Sequence, residues 1–327
     1  MSINYIFLRK DETDDNYGYY FDKRPLNALL DYGLILLDKP PGPTSHQIVA
    51  WVRKMLSIEK VGHSGTLDPP VTGLLPIGLG NATKALPVLL LGPKEYFAVA
   101  RLHASLPESK LQETLQEFTG EIYQRPPQRS SVKRVVRTRR IYELELIEKK
   151  GNLFLLRVLC QAGTYVRKLI FDIGEVLGVG ATMVELRRTK VSPFKEEDGL
   201  TTLHELLDAL YEWKENGRED KMRKIVKPIE LAFFNMKKVY VRDSAVDAIC
   251  HGAQLAIPGI AGLSQNIEVG EPVGLFTLKE EIIALAKALK STKEIISEDR
   301  GLAFNIERVI MKAGTYPRMW KSSKKKV

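Results

Sequence analysis

From Gly33 onward, strand-like and helix-like patterns follow one another without the regular strand–helix–strand order of a doubly wound sheet. Leu34–Leu37 is a short apolar run that stops at a proline-rich turn, which is typical of a buried strand. Behind Thr44 or Ser45, either of which could cap a helix, apolar residues recur at helical spacing as far as Leu56. Further strands are predicted at 96–102, 141–146, 153–159 and 182–191, and further helices at 108–118 and 165–177. This irregular succession predicts an α+β fold.

The chain divides into segments of different character. At 327 residues it is long enough for two domains. Residues 1–32 are polar and aperiodic, so we expect an N-terminal extension that needs another surface to order it. We expect the C-terminal domain to supply that surface. The charged stretch 212–228 is the best candidate for a linker or surface excursion, and a second unit begins near Lys237 with a short helix capped by Asp243. The predicted division is therefore an extension over 1–32, domains over 33–236 and 237–320, and a basic tail over 321–327.

The charge balance of the chain indicates a nucleic-acid partner. Lysine and arginine number 49 against 40 aspartates and glutamates, which gives a formal net charge of +9. Much of this excess lies in one acid-free segment that contains Arg125, Arg129, Lys133, Arg134, Arg137, Arg139 and Arg140. Intervening prolines, serines and valines favour a loop or ribbon that can grip a phosphate backbone. The alternative is a solvated charged face.

Several common functional classes lack their sequence signals. Cys160 and Cys250 are the only cysteines and stand in no metal-ligand spacing, which argues against a disulfide framework and a structural zinc site. The stretch Gly62–Thr66 approaches the nucleophile motif of hydrolases but ends in Thr where that motif needs Gly. The sequence has no P-loop and no paired metal-binding histidines, so no cofactor or metal is expected. Without a signal peptide or a membrane-length apolar run, a cytoplasmic location is expected.

One carboxylate, Asp68, stands in a highly constrained stretch, GHSGTLDPP, from Gly62 to Pro70. The glycines permit close approach of the backbone and the two prolines restrict its motion, so the acid would be held in a fixed place. An acid presented in this way can act in catalysis. The alternative is an ordinary turn, in which the carboxylate accepts hydrogen bonds from nearby main-chain amides.

Five ordered motifs resemble the signature segments of the TruB family of pseudouridine synthases. They are Leu36–His46, Gly62–Pro69, Lys94–Tyr96, Gly163–Arg167 and Leu186–Arg188. The region after Lys237 resembles a PUA domain, an RNA-binding pseudo-barrel, although Glu280 and Ala286 stand at or beside positions where that pattern usually has glycine. The resemblance implies a mixed, mostly antiparallel sheet flanked by helices, followed by the PUA domain. The Lys94–Tyr96 motif, the N-terminal extension and the segment Gly314–Trp320 resemble the archaeal dyskerin-like branch of the family.

The resemblance also implies a reaction and a set of residues. Uridine is isomerised to pseudouridine without metal or cofactor, after the base has left its stack. Asp68 would be ionised and would either attack covalently or remove a ribose proton, held by a bidentate pair with Arg167 in a poorly hydrated site. Tyr96 would stack on the flipped base. The residues expected to contact substrate or RNA are Leu186, Tyr165, His63, Lys39, Arg129, Lys133 and Arg134, of which His63 and Lys39 would also brace the catalytic loop.

The dyskerin-like branch implies partners as well. Its members are catalytic subunits of box H/ACA guide-RNA particles, so the expected partners are a guide RNA and a substrate RNA. Three proteins are also expected: a small zinc-ribbon-like protein, a small β-barrel protein and a kink-turn-binding ribosomal protein. Two alternatives stay open, a stand-alone synthase for uridine 55 of tRNA and a non-catalytic RNA-binding scaffold. In the guided case the guide RNA, and not this chain, selects the uridines.

Overall fold

The computed structural model describes residues 4–126, 133 and 135–319. The strands are β1 Tyr5–Phe7, β2 Gly33–Lys39, β3 Val61–His63, β4 Thr72–Leu79, β5 Lys94–Leu102, β6 Gly120–Gln124, β7 Arg137–Lys150, β8 Leu153–Cys160, β9 Ala181–Val191, β10 Phe194–Lys195, β11 Val226–Pro228, β12 Lys238–Val241, β13 Leu255–Ala256, β14 Ile260–Ser264, β15 Pro272–Phe276, β16 Ile282–Ala288 and β17 Leu302–Val309. The α-helices are α1 Leu26–Asp31, α2 Ser45–Leu56, α3 Leu86–Leu91, α4 Glu108–Glu117, α5 Val166–Val176, α6 Leu203–Asn216, α7 Asp220–Ile225, α8 Asp243–Cys250 and α9 Thr292–Ser297. Short 3₁₀ helices lie at Gly80–Lys84, Glu196–Asp198, Ile229–Phe233 and Ile257–Gly259.

The first sheet has the strand order β11-β2-β4-β9-β5-β8-β7-β6, with β3 added on β4 and β10 on β9. Its pairs are antiparallel except β4 with β9, which run parallel. Helices α1, α2, α6 and α7 pack on one half of the sheet, and α4 and α5 cover the other half. The predicted α+β class with a mixed, mostly antiparallel sheet is therefore confirmed.

The second sheet has the order β1-β14-β12-β15-β16-β17-β13. It packs against the first sheet through a shared apolar cluster, in which Leu34 and Leu36 of β2 meet Phe276 and Ile282 of the second sheet. The turn between β15 and β16 contains Glu280, whose φ of 62° lies in the left-handed region that favours glycine. This is the turn at which the chain departs from the usual PUA pattern.

Local signals located most elements of the first sheet. Thr44 caps α2, because its hydroxyl accepts a hydrogen bond from the Gln47 amide while the Gln47 side chain accepts from the Thr44 amide. Ser45 is the first residue of that helix and its side chain points into the protein. The predicted hairpin is β7 and β8, joined at Gly151.

Two predictions are wrong. The stretch 212–228 is not a linker, because it contains the end of α6, all of α7 and the edge strand β11, which pairs with β2. Met222 and Val226 are fully buried there while charged side chains cover the outer surface, so a few apolar residues anchor a segment of polar appearance. Asp243 does not cap α8, whose N-cap is Arg242. Its carboxylate instead accepts hydrogen bonds from the Thr13 hydroxyl at 2.9 Å and the Asp14 amide at 3.0 Å.

The N-terminal residues contact both sheets. Strand β1 pairs with β14, and Lys279 of the second sheet's turn donates hydrogen bonds to the carbonyls of Asp14 and Tyr17. Helix α1, assigned from sequence to the extension, packs through Leu26 and Leu29 in the core of the first sheet instead. The apolar residues of α1 lie on one face of the helix, and this face is buried against the sheet. The remainder of the predicted division stays a proposal.

Candidate active site

Asp68 lies at a tight turn between β3 and β4. Its carbonyl accepts a hydrogen bond from the Val71 amide at 3.0 Å, which closes the turn around Pro69 and Pro70. Its carboxylate accepts a hydrogen bond from the Arg167 guanidinium, with 2.6 Å between Nη2 and Oδ2. Arg167 stands in the first turn of α5, so the fold brings together two residues that are 99 positions apart.

The pair differs in two respects from the sequence-based expectation. Asp68 and Arg167 share one hydrogen bond and are not a bidentate pair. Their side chains are 58% and 56% exposed, so the expected poorly hydrated setting is wrong for the chain alone. A pair this accessible can meet a large substrate such as an extruded nucleotide, and the carboxylate can then act as a nucleophile or as a base.

Two buried polar side chains, Lys39 and Ser45, form hydrogen bonds with the main chain of the Asp68 turn. The Ser45 hydroxyl accepts a hydrogen bond from the Leu67 amide at 2.9 Å and donates to the Leu67 carbonyl at 3.2 Å. The ammonium group of Lys39 donates to the carbonyls of Pro40, Pro69 and Val71, each at 2.9 Å. These bonds tie main-chain groups on both sides of Asp68 to buried side chains, and they explain how an exposed acid is kept in one place.

Lys39 is a buried cation that is bonded to the loop. Its side chain is 0% exposed, and its three hydrogen bonds all go to main-chain carbonyls. Burial lowers the pKa of this lysine, while the nearby charge of Asp68 raises it. The geometry agrees with bracing of the loop, in which all three donors of the ammonium serve carbonyls, and the contact between Lys39 and RNA stays a prediction.

Tyr96 and Leu186 lie on the neighbouring strands β5 and β9. Leu186 is opposite Ala98, and Tyr96 is opposite Arg188. Both side chains are half-buried and pack against the two apolar clusters of the first sheet, so each has an apolar base and an accessible part. Burial raises the pKa of Tyr96, while the adjacent Arg188 guanidinium lowers it.

His63 and Tyr165 complete the surroundings of the turn. The His63 ring stands edge-on to that of His46, with 5.2 Å between the ring centres. Burial, together with the charges of His46 and Arg188, lowers the pKa of His63. Tyr165 precedes the first residue of α5, and its main-chain amide donates to Gln124 Oε1 at 2.9 Å. This bond ties the start of α5 to the end of β6.

The basic segment is partly visible. Lys133 is exposed, whereas Arg129 and Arg134 lie outside the described residues. The arginines at 137, 139 and 140 belong to β7, which pairs with β6 as an extended ribbon. The described part of the segment therefore agrees with the ribbon interpretation, and its contact with RNA stays a prediction.

Sequence reasoning missed Arg188 as a site residue. It is 2% exposed, its Nε donates to the Leu74 carbonyl at 2.9 Å, and its Nη2 donates to the Gly65 carbonyl at 3.0 Å. The two acceptors flank the Asp68 turn on either side. The available signal was strand alternation, since Leu186 and Arg188 are two residues apart on one strand and therefore face the same side.

Among residues 4–126, 133 and 135–319, no group of three or more His, Cys, Asp or Glu side chains could hold a metal ion. In the same part of the chain, no helix combines the length and the apolar character that a membrane crossing requires.

Comparison with family models covers almost the whole chain. Residues 53–166 match the TruB family pseudouridylate synthase (N terminal domain), and residues 167–233 match the tRNA pseudouridylate synthase B C-terminal domain. Residues 237–310 match the PUA domain, and residues 3–49 match the DKCLD (NUC011) domain.

Individual proteins match over similar lengths. The "Probable tRNA pseudouridine synthase B" of Methanocaldococcus jannaschii is 51% identical over 98% of this chain and 95% of its own length. Among solved structures, an H/ACA RNP bound to a substrate RNA containing 2′-deoxyuridine includes a chain that is 45% identical, with a TM-score of 0.91 and 98% of each chain covered. A Cbf5-Nop10-Gar1 complex includes one that is 47% identical, with a TM-score of 0.91 and 97% of each chain covered.

Proposed function

Because this chain belongs to the TruB family of pseudouridine synthases and carries a PUA domain, we propose that it isomerises uridines under the direction of a guide RNA. In this proposal it is the catalytic subunit of an H/ACA ribonucleoprotein that acts in the cytoplasm. One observation carries the proposal: the similarity to H/ACA chains extends over 98% of both chains at a TM-score of 0.91, from the N-terminal residues through the PUA domain.

In the proposed reaction, the target uridine leaves its stack and enters the site between Asp68 and Tyr96. Extrusion costs a few kcal/mol, which stacking on Tyr96 and apolar contact with Leu186 offset. Arg167 donates a hydrogen bond that orients the Asp68 carboxylate. Asp68 then attacks the sugar or base covalently or removes a ribose proton, and both routes use the same carboxylate.

Two alternatives remain. A stand-alone tRNA synthase is favoured by the names of the curated relatives, which describe tRNA pseudouridine synthase B. A non-catalytic scaffold is opposed by the family membership and by the Asp68–Arg167 pair, because RNA binding alone does not require a carboxylate at an exposed turn. The partners proposed for the guided particle are guide RNA, substrate RNA, the zinc-ribbon-like protein, the β-barrel protein and the kink-turn-binding protein.

The decisive experiment measures tritium release from 5-tritiated uridine in an rRNA fragment and in a tRNA. Each substrate is tested with and without guide RNA and with homologues of Nop10 and Gar1. We expect turnover of the rRNA fragment to require its guide. Asp68→Asn should lower turnover more than about 1,000-fold with RNA affinity nearly unchanged, since removal of a catalytic nucleophile or base has an effect of this size. Full-rate turnover of tRNA alone would favour the unguided enzyme, and turnover by Asp68→Asn would remove Asp68 from its role.

A second experiment tests the basic segment. Replacing Lys133, Arg137 and Arg140 by Ala should reduce the slope of log affinity against log salt by about 2, because each lost contact with single-stranded phosphate removes about 0.7. A matched control replaces Lys214, Lys221 and Lys224, which carry the same charge on α6 and α7. Equal slopes for the two triple variants would show that the segment does not contact RNA.

A further inference from the structure

Arg188 is a buried cation without a carboxylate partner. Its guanidinium donates to the carbonyls of Leu74 and Gly65, and it makes no salt bridge within residues 4–126, 133 and 135–319. Burial of a charge without a counter-charge is costly, and the usual remedy in proteins is an ion pair. Burial accordingly lowers the pKa of Arg188 from its ordinary value, although an arginine still keeps its proton at pH 7. The fold thus maintains a positive charge here at a cost to its stability.

The backbone on both sides of the Asp68 turn is packed directly against this residue. Gly65 has a φ of 82°, and a Cβ at that position would lie 3.2 Å from Arg188 Nη1. Gly73 is opposite Arg188 in the sheet, and a Cβ there would lie 2.3 Å from the Arg188 carbonyl oxygen. Residues before and after the turn therefore take their position from residue 188, in addition to the bonds from Lys39 and Ser45.

The charge of Arg188 also acts on the residues expected around the base. It lowers the pKa of Tyr96 against the opposing effect of burial, and it contributes to the lowered pKa of His63. The charge of Asp68 influences Tyr96 in the opposite sense. Tyr96, which is the cross-strand partner of Arg188, is thus subject to a buried positive charge and to an exposed negative charge at the turn.

The reaction supplies the negative charge that this arrangement lacks. When the N1–C1′ bond breaks, its electron pair stays with the uracil ring, which becomes an anion. The ring then bonds to C1′ through C5, the C5 proton passes to solvent and N1 gains a proton, so no oxidant or cofactor is needed. A positive charge that is fixed and itself buried, as that of Arg188 is, stabilises such an anion more than a fully hydrated charge would.

We propose that Arg188 is a positioning residue that fixes the Asp68 turn and whose uncompensated charge stabilises the detached uracil anion. This inference rests on the proposed placement of the base between Asp68 and Tyr96. It predicts that the need for Arg188 depends on the leaving base, because a base that bears negative charge easily needs less help. A purely structural role would affect all bases equally.

The test compares uridine with 5-fluorouridine at the target position, since fluorine withdraws electrons and stabilises the ring anion. Loss of the original N-glycoside is followed by chromatography of nuclease digests, in single turnovers with enzyme in excess. Arg188→Met should lower the rate about 100-fold for uridine but only about 10-fold for 5-fluorouridine. Arg188→Lys, which keeps the charge, should lower both rates by less than about 10-fold and to the same extent. Equal losses for the two bases in Arg188→Met would overturn the inference.

Two controls keep the result interpretable. Because both bases are tested in one protein sample, partial misfolding of Arg188→Met cancels from the ratio of the two rates. Should that variant not fold, an equal loss of 100-fold on both bases in Arg188→Lys would overturn the inference instead. The neighbouring Arg187, which pairs with Asp38 and Glu196, provides Arg187→Met as a matched control with no expected base dependence. The Asp68→Asn assay tests the proposed function separately, so failure of one proposal leaves the other measurable.

Discussion

The molecule surrounds one buried cation with carboxylates and leaves a group of others without them. Where the N-terminal segment meets both sheets, Arg24 is buried with two carboxylates, Glu230 and Glu281. In the first sheet, the buried cations Lys39, Lys94 and Arg188 have no carboxylate partner within hydrogen-bond distance in the part of the chain that the structure describes; they donate to main-chain carbonyls, and Arg188 also bonds the Tyr96 side chain. In the first arrangement, the protein itself supplies the counter-charge. The second leaves net positive charge next to the site at which an anionic RNA and a charged transition state would arrive.

The paired cluster joins three segments that are distant in sequence. Arg24 donates to both Glu230 oxygens, at 2.9 and 2.7 Å, and to Glu281 at 3.4 Å. Glu230 also accepts from the Ile282 amide, and Glu281 accepts from the Tyr316 hydroxyl. Burial raises the pKa of Glu281 against the opposing effect of Arg24. The cluster therefore specifies how the segments meet, because each member depends on the others for its counter-charge.

The largest effect is expected from breaking the paired cluster. Arg24→Met leaves two buried carboxylates without a cation and should lower the free energy of unfolding by about 3–5 kcal/mol. Urea unfolding at pH 7 measures this change. Turnover of the fraction that remains folded should be close to wild type, because Arg24 lies outside the candidate site.

The matched control removes the whole cluster. Arg24→Met combined with Glu230→Gln and Glu281→Gln leaves no buried charge, so much of the lost stability should return. If the triple variant were as unstable as Arg24→Met, shape and packing at this junction would matter more than charge compensation, and the contrast between the two regions would be weakened.

The next largest effect concerns Lys94, one of the unpaired cations. It donates to the carbonyls of Leu89, Leu90 and Gly92 at the end of α3, and burial lowers its pKa from the ordinary 10.5 to about 8. The unfolded chain therefore binds more protons than the folded chain between pH 8 and 10.5, so wild-type stability should rise with pH across this window. The expected gain is about 3 kcal/mol relative to Lys94→Met, since one pKa unit corresponds to about 1.4 kcal/mol.

Urea unfolding of wild type and Lys94→Met at several pH values between 8 and 10.5 measures that gain. Lys214→Met, which removes an exposed lysine of α6, should follow the wild-type curve in parallel. If the Lys94→Met curve were also parallel to wild type, the lysine would carry no burial penalty, and the description of this region as uncompensated would be wrong.

The sequence predicted those features that depend on local pattern. The α2 cap, the β7–β8 hairpin and the strand at β5 each follow from a few neighbouring residues, and the structure confirms them. The segment 212–228 was misjudged because its charges are near in sequence, whereas the buried contact of Met222 is made with distant residues. Local composition cannot report a contact of that kind.

The candidate site also contains features that local sequence pattern cannot predict. Nothing in the spacing of Asp68 and Arg167 predicts that they meet, and only the resemblance to a family suggested it before the structure showed the hydrogen bond. Arg188 was missed because an arginine next to another arginine on a strand is ordinarily exposed. Its neighbour Arg187 does form surface ion pairs, and strand alternation alone separates the two.

The smallest effect separates bracing of the turn from general stability. Ser45→Ala leaves the buried Leu67 amide without its acceptor and should lower the free energy of unfolding by about 1 kcal/mol. Thr44→Ala, one residue earlier, removes the α2 cap and should cost about the same. Turnover should nevertheless fall about 10-fold in Ser45→Ala but not in Thr44→Ala, because Ser45, unlike Thr44, contacts the turn that carries Asp68. Equal turnover in two variants of equal stability, measured by tritium release and urea unfolding, would show that the Asp68 turn holds its position without Ser45.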